Sequence, residues 1–71
     1  MLVLKTYAES SKSNIKALEV EIRKYCFNNN VNIDTLFIES LGLFQSRLYI
    51  KVSGEDLHIQ AIKTFLEKIS Q

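Results

Sequence analysis

Residues 46–53 read Ser46-Arg47-Leu48-Tyr49-Ile50-Lys51-Val52-Ser53, a run in which aliphatic side chains alternate with polar or aromatic ones. Successive side chains of a β-strand point to opposite faces, so Leu48, Ile50 and Val52 share one side, and Arg47, Tyr49, Lys51 and Ser53 the other. Alternation this regular marks a strand with one dry face and one wet face, as in an antiparallel sheet covered on a single side.

Upstream, residues 32–41 form a second β-like run, joined to 46–53 through Gly42, Leu43, Phe44 and Gln45, and the two read as a hairpin. Pairing puts Leu36 and Ile38 on the dry face and Thr35, Phe37 and Glu39 on the wet one; a slip of one residue would reverse the choice. Residues 1–8 supply another strand, with Leu2 and Leu4 on one face and Val3, Lys5 and Tyr7 on the other. Residues 9–14, rich in serine, read as a loop that ends in a helix cap at Ser11 or Ser13.

From Ile15 the apolar period becomes helical. Ile15, Leu18, Ile22, Tyr25 and Cys26 fall within one arc, and Asn28, Asn29 and Asn30 end the helix, since asparagine tolerates the left-handed conformation used at helix C-termini. Ser53-Gly54-Glu55-Asp56 has capping-box spacing and starts a second helix. Its apolar arc is Ile59, Ile62, Phe65, Leu66 and Ile69; its wet arc holds Gln60, Lys63, Thr64, Glu67 and Lys68.

The element order is therefore β-α-β-β-α, an α+β two-layer sandwich with both helices on one face of an antiparallel sheet. With the third strand inserted between the first and second, it is a ferredoxin-like, split-βαβ arrangement lacking the fourth strand. The first strand is then an edge with unpaired backbone groups, of the kind that recruits another chain.

Composition narrows the function classes. The 71 residues, 46% hydrophobic, suffice for one small domain over residues 1–71. A formal net charge of +1 argues against a strongly basic nucleic-acid binder and against an acidic disordered tail. Cys26 is the single cysteine, which excludes an intrachain disulfide and a CxxC framework and makes the reducing cytoplasm the expected compartment. The apolar start Leu2-Val3-Leu4 stops at Lys5, too short for a signal sequence or a membrane span, so the chain reads as soluble and unprocessed, with no membrane partner.

Few residues present themselves for chemistry. His58, the only histidine, falls in the first turn of the second helix and reads as a neutral ring hydrogen-bonded to backbone. Glu55, Asp56 and Cys26 have no metal-ligand spacing with it, and Cys26 reads as a small buried hydrophobe. Ser10, Ser11, Lys12, Ser13 and Asn14 read as capping residues, because a phosphate loop needs glycines that are absent there. No nucleophile, base and orienting acid assemble, so the expectation is a non-enzyme with no cofactor and no metal.

The wet sheet face is the informative surface: Lys5 and Tyr7 beside Arg47, Tyr49 and Lys51, with Phe37 further over. Leu43 and Phe44 at the hairpin tip, and Val20 and Phe27 outside the core arc of the first helix, are further apolar contacts if they form one patch. The layout resembles an RNA-recognition motif, whose contacting stretches lie on the first and third strands. Arg47 and Tyr49 fit that family's third-strand signature; Leu48 and Ile50 stand where it has small residues, and Lys51 where it has a stacking aromatic. The resemblance implies single-stranded RNA stacked across Lys5, Tyr7, Arg47, Tyr49 and Lys51. In element order alone the chain also resembles the small ligand-sensing ACT-type domains, which work as oligomers. The leading expectation is a non-enzymatic interaction or regulatory module that self-associates, or binds a protein partner, through the open face and the first-strand edge; RNA binding is the alternative.

Overall fold

The computed structural model describes residues 1–69, the side chain of Ile69 excepted. Its elements are β1 (Leu2–Ser11), α1 (Lys12–Asn28), β2 (Asn32–Ser40), β3 (Gln45–Gly54) and α2 (Asp56–Ile69). The three strands form one antiparallel sheet in the order β1-β3-β2, and the chain is an α+β protein whose helices pack on that sheet.

The alternation holds in three dimensions over residues 46–52, while Ser53, expected on the wet side, is buried. Leu48, Ile50 and Val52 are fully buried against Ile15, Leu18, Ile22 and Cys26 of α1 and Ile59, Ile62 and Leu66 of α2. Ala8 completes the layer from β1, and Leu2, Leu4, Ile33 and Leu36 pack around its rim. Side chains of Val/Leu/Ile size are each worth about 1.5–3 kcal/mol when fully buried, so this one cluster carries most of the apolar stabilisation.

Four details differ from the sequence reading. First, β1 runs to Ser11 instead of yielding to a loop at Glu9, because Glu9, Ser10 and Ser11 pair with Arg47, Ser46 and Gln45. The ladder supplies the backbone bonds that a polar stretch would otherwise find in water. The strand therefore passes directly into α1. Ser11 is its N-cap, accepting a hydrogen bond from the Asn14 N–H at 3.3 Å.

Second, Ser53 lies inside β3 and makes no side-chain bond to α2, so the expected capping box does not form; α2 begins at Asp56, with the Glu55 carbonyl accepting from the His58 and Ile59 N–H groups. Gly54 lies against Val31, which a Cβ there would meet at 3.4 Å, an ordinary van der Waals contact.

Third, Ile38 shares the inward side with Leu48, its register partner, yet remains 41% exposed because β2 is an edge and the helices do not reach over its far end. Fourth, Phe65 is 40% exposed and lines a cleft of about 250 Å³ between the helices with Ile22, Tyr25, Ala61 and Ile62; among the described side chains of the expected arc, Ile59, Ile62 and Leu66 are buried. The expected inward placement of Ile69 lies outside the described side chains.

The asparagines end α1 as their chemistry dictates. Asn30 takes the left-handed conformation at φ 54°, Asn29 donates to the Tyr25 carbonyl, and the Val31 N–H returns to the Cys26 carbonyl at 2.9 Å. This reversal drops Val31 into the core ahead of β2. A bulge follows, for the register shifts between Ile33 and Thr35, leaving Asp34 without a partner on β3.

Two substitutions on the same side of the sheet separate register from burial. Ile50→Ala should cost about 2–5 kcal/mol of stability, whereas Ile38→Ala should cost under about 1 kcal/mol. Urea midpoints measure both; equal losses would show that α1 and α2 cover the β2 edge after all.

Candidate functional site

The side of the sheet away from the helices is built in cross-strand rows, one residue from each strand. Glu9, Arg47 and Glu39 form one row, Tyr7, Tyr49 and Phe37 the next, and Lys5, Lys51 and Thr35 the third. All six residues expected at a sheet-face site, Lys5, Tyr7, Phe37, Arg47, Tyr49 and Lys51, are thus brought together on one surface, and β3 supplies the middle member of every row.

The aromatic row is contiguous. Phe37 stacks on Tyr49 with ring centroids 4.7 Å apart and planes 19° from parallel, and Tyr7 lies 6.1 Å from Tyr49 on the other side. Tyr7 is 55% and Phe37 51% exposed, so the pairs order the rings without removing them from water. Offset aromatic pairs of this kind contribute about 0.5–1.5 kcal/mol beyond their buried area.

Arg47 is committed to its neighbours. Its guanidinium bonds Glu9, with the Nε contact at 2.7 Å, donates to the Tyr49 hydroxyl at 2.8 Å, and lies 3.8 Å from Glu39. It also covers the Tyr7 ring at 5.0 Å from the centroid. Hydrogen bonds to Tyr49 and to Glu9 push its pKa further above the ordinary guanidinium value, so the charge is permanent. With two carboxylates around one cation, that row keeps one net negative charge.

At the opposite end Lys5 and Lys51 stand side by side on β1 and β3, both exposed, with neither in an ion pair among the described residues. Like charges directly opposite each other on neighbouring strands are unfavourable, and neither lysine has an acidic register partner, for Thr35 stands on the far side of Lys51. The surface is therefore polar in the electrical sense: acidic at one end, basic at the other, aromatic between.

Sequence reasoning found the aromatics and the lysines and missed Glu9 and Glu39 as the partners of Arg47. Glu39 was legible, since it follows Phe37 by two; Glu9 was hidden by reading residues 9–14 as a loop.

The remaining candidates do not join this face. Leu43 and Phe44 are exposed at the turn between β2 and β3, where the Phe44 carbonyl accepts from the Lys12 N–H at the start of α1. Phe27 is exposed at the other end of α1, about 22 Å away at 1.5 Å per residue, so the hairpin tip and Phe27 form two separate surfaces. Ser10 and Ser11 are occupied by Asn14. The partner of His58 is a side chain and not backbone: its Nδ1 shares a hydrogen bond of 3.2 Å with the Tyr25 hydroxyl, and the rings meet edge to face, pinning α2 to α1. Among the described residues there is no cluster of metal-ligating side chains, and no helix is long and apolar enough to cross a membrane.

Comparisons with protein families, with curated proteins and with solved structures return no match for this chain.

Cys26 faces the core, where desolvation pushes its thiol pKa up. The folded chain should therefore leave Ellman's reagent unreacted at pH 8 and release one equivalent only in denaturant. Because the folded pKa lies above the unfolded one, the linked stability is complete below the ordinary thiol range and is lost as pH rises through the folded value. Rapid labelling of the native chain would place the thiol at the surface.

Proposed function

We propose that this chain is a non-enzymatic interaction module that self-associates, or docks a protein partner, through its uncovered sheet, with the aromatic row as contact centre and the free β1 edge beside it. One observation carries the reading: the Tyr7-Tyr49-Phe37 row, exposed at Tyr7 and Phe37, lies between rows of opposite net charge. Half a turn about an axis at Tyr7 brings Lys5 of one copy towards Glu9 of another, so the β1 side of the surface is complementary to itself. In the same reading the order β1-β3-β2 is the three-stranded part of a ferredoxin-like, split-βαβ arrangement. A cytoplasmic setting, where a lone reduced thiol is ordinary, fits it.

Single-stranded RNA is the weaker reading. Arg47 is neutralised by Glu9 and Glu39, which leaves Lys5 and Lys51 as the face's cations without an ion pair among the described residues.

Sedimentation velocity across a dilution series tests the choice. The wild-type chain should pass from dimer or larger species to monomer on dilution. Tyr7→Ala should weaken that association about tenfold while moving Tm by no more than about 4 °C, since Tyr7 is half-exposed. A wild-type monomer at high micromolar concentration that binds labelled oligonucleotides at low salt, and loses that binding with Tyr7→Ala, would overturn the reading in favour of RNA.

A further inference from the structure

The rows leave two ways for a second copy to meet this sheet by a half-turn, face against face or edge against edge, and the structure distinguishes them. Packing the faces together would bury Arg47 with both its carboxylates, together with the lysine pair. Desolvating such groups is strongly unfavourable before any attraction is regained. Arg47 also lies over the Tyr7 ring and so already occupies one side of the aromatic row. Edge pairing leaves all of these groups in water.

The free edge of β1 has the features that pairing requires. Its backbone groups have no strand partner on the side away from β3 among the described residues. Beside it runs a groove lined by Leu4, Thr6 and Tyr7 of β1 and by Lys63, Leu66 and Glu67 of α2. The sequence of β1 is also antisymmetric in charge about Tyr7: Lys5 precedes the ring by two and Glu9 follows it by two, all three on the open face.

Resting on the self-association reading, we infer that a second copy of this chain pairs antiparallel with β1 in the register centred on Tyr7, making one continuous six-stranded sheet. In this register Lys5 of each copy stands opposite Glu9 of the other, and the two Tyr7 rings meet at the axis. On the helix side Thr6 and Leu4 face Ala8 and Ser10 of the partner copy, residues small enough to pass beneath α2. The register gives the unpaired Lys5 a partner, joins the two aromatic rows end to end, and satisfies the backbone groups of both edges. Slipping it by one residue would set Lys5 against an inward-facing position and turn the dry side of one copy onto the wet side of the other.

Isotope-filtered NMR on an equimolar mixture of labelled and unlabelled wild-type chain tests this directly. Intermolecular contacts are expected from the Lys5 backbone to the Glu9 backbone and between the two Tyr7 residues. Lys5→Glu should weaken the dimer about tenfold by setting like charges against each other twice, and Lys5→Gln, which removes the attraction without adding a repulsion, should weaken it less. A dimer whose filtered contacts join Phe37 and Tyr49 of one copy to those of the other overturns the edge register and leaves self-association standing. A dimer indifferent to Lys5→Glu also overturns the register, and a chain that stays monomeric at high micromolar concentration overturns both readings.

Discussion

Strand β3 is hydrogen-bonded on both sides, and that single constraint organises the rest of the structure. Pairing with β1 and β2 together locks its alternation, so Leu48, Ile50 and Val52 have one direction in which to be buried and Arg47, Tyr49 and Lys51 one in which to remain wet. The helices follow from the first set, since each must hide an apolar arc and the inward side of β3 is the centre of the available surface. The cross-strand rows follow from the second. A slip of one residue along β3 would bury a guanidinium and an ammonium and expose three aliphatic side chains.

The same pairing gives the wet face its electrical order. β3 contributes a cation, an aromatic and a second cation at alternate positions, and its neighbours answer with acids at one end, rings in the middle and no acid at the other. Arg47 is thereby spent within the molecule, whereas Lys5 and Lys51 are not. An aromatic band with opposite charge at its two ends is a surface that a rotated copy of itself can satisfy.

Much of this was legible in the sequence, and the misses share one physical cause. The alternation of β3, the inward Leu36, the α1 arc and the asparagine stop at Asn30 are local patterns, set by a period or by one backbone conformation. Tertiary partners overrode local chemistry elsewhere. Glu9, Ser10 and Ser11 look like a loop but are held by Arg47, Ser46 and Gln45; Ser53 looks like a cap but is held in the ladder; Ile38 has the right face but no helix above it. The lost Glu9 mattered most, because it concealed that Arg47 is neutralised and made the face look more basic than it is.

Amide hydrogen exchange on the wild-type chain, followed at a low and a high protein concentration, probes the central claim most directly. The account predicts that β3 amides exchange slowest at both concentrations, while the β1 amides that point away from β3 are fast in dilute solution and slow as the concentration rises. Fast exchange along β3, or outward β1 amides whose rates ignore concentration, would contradict it.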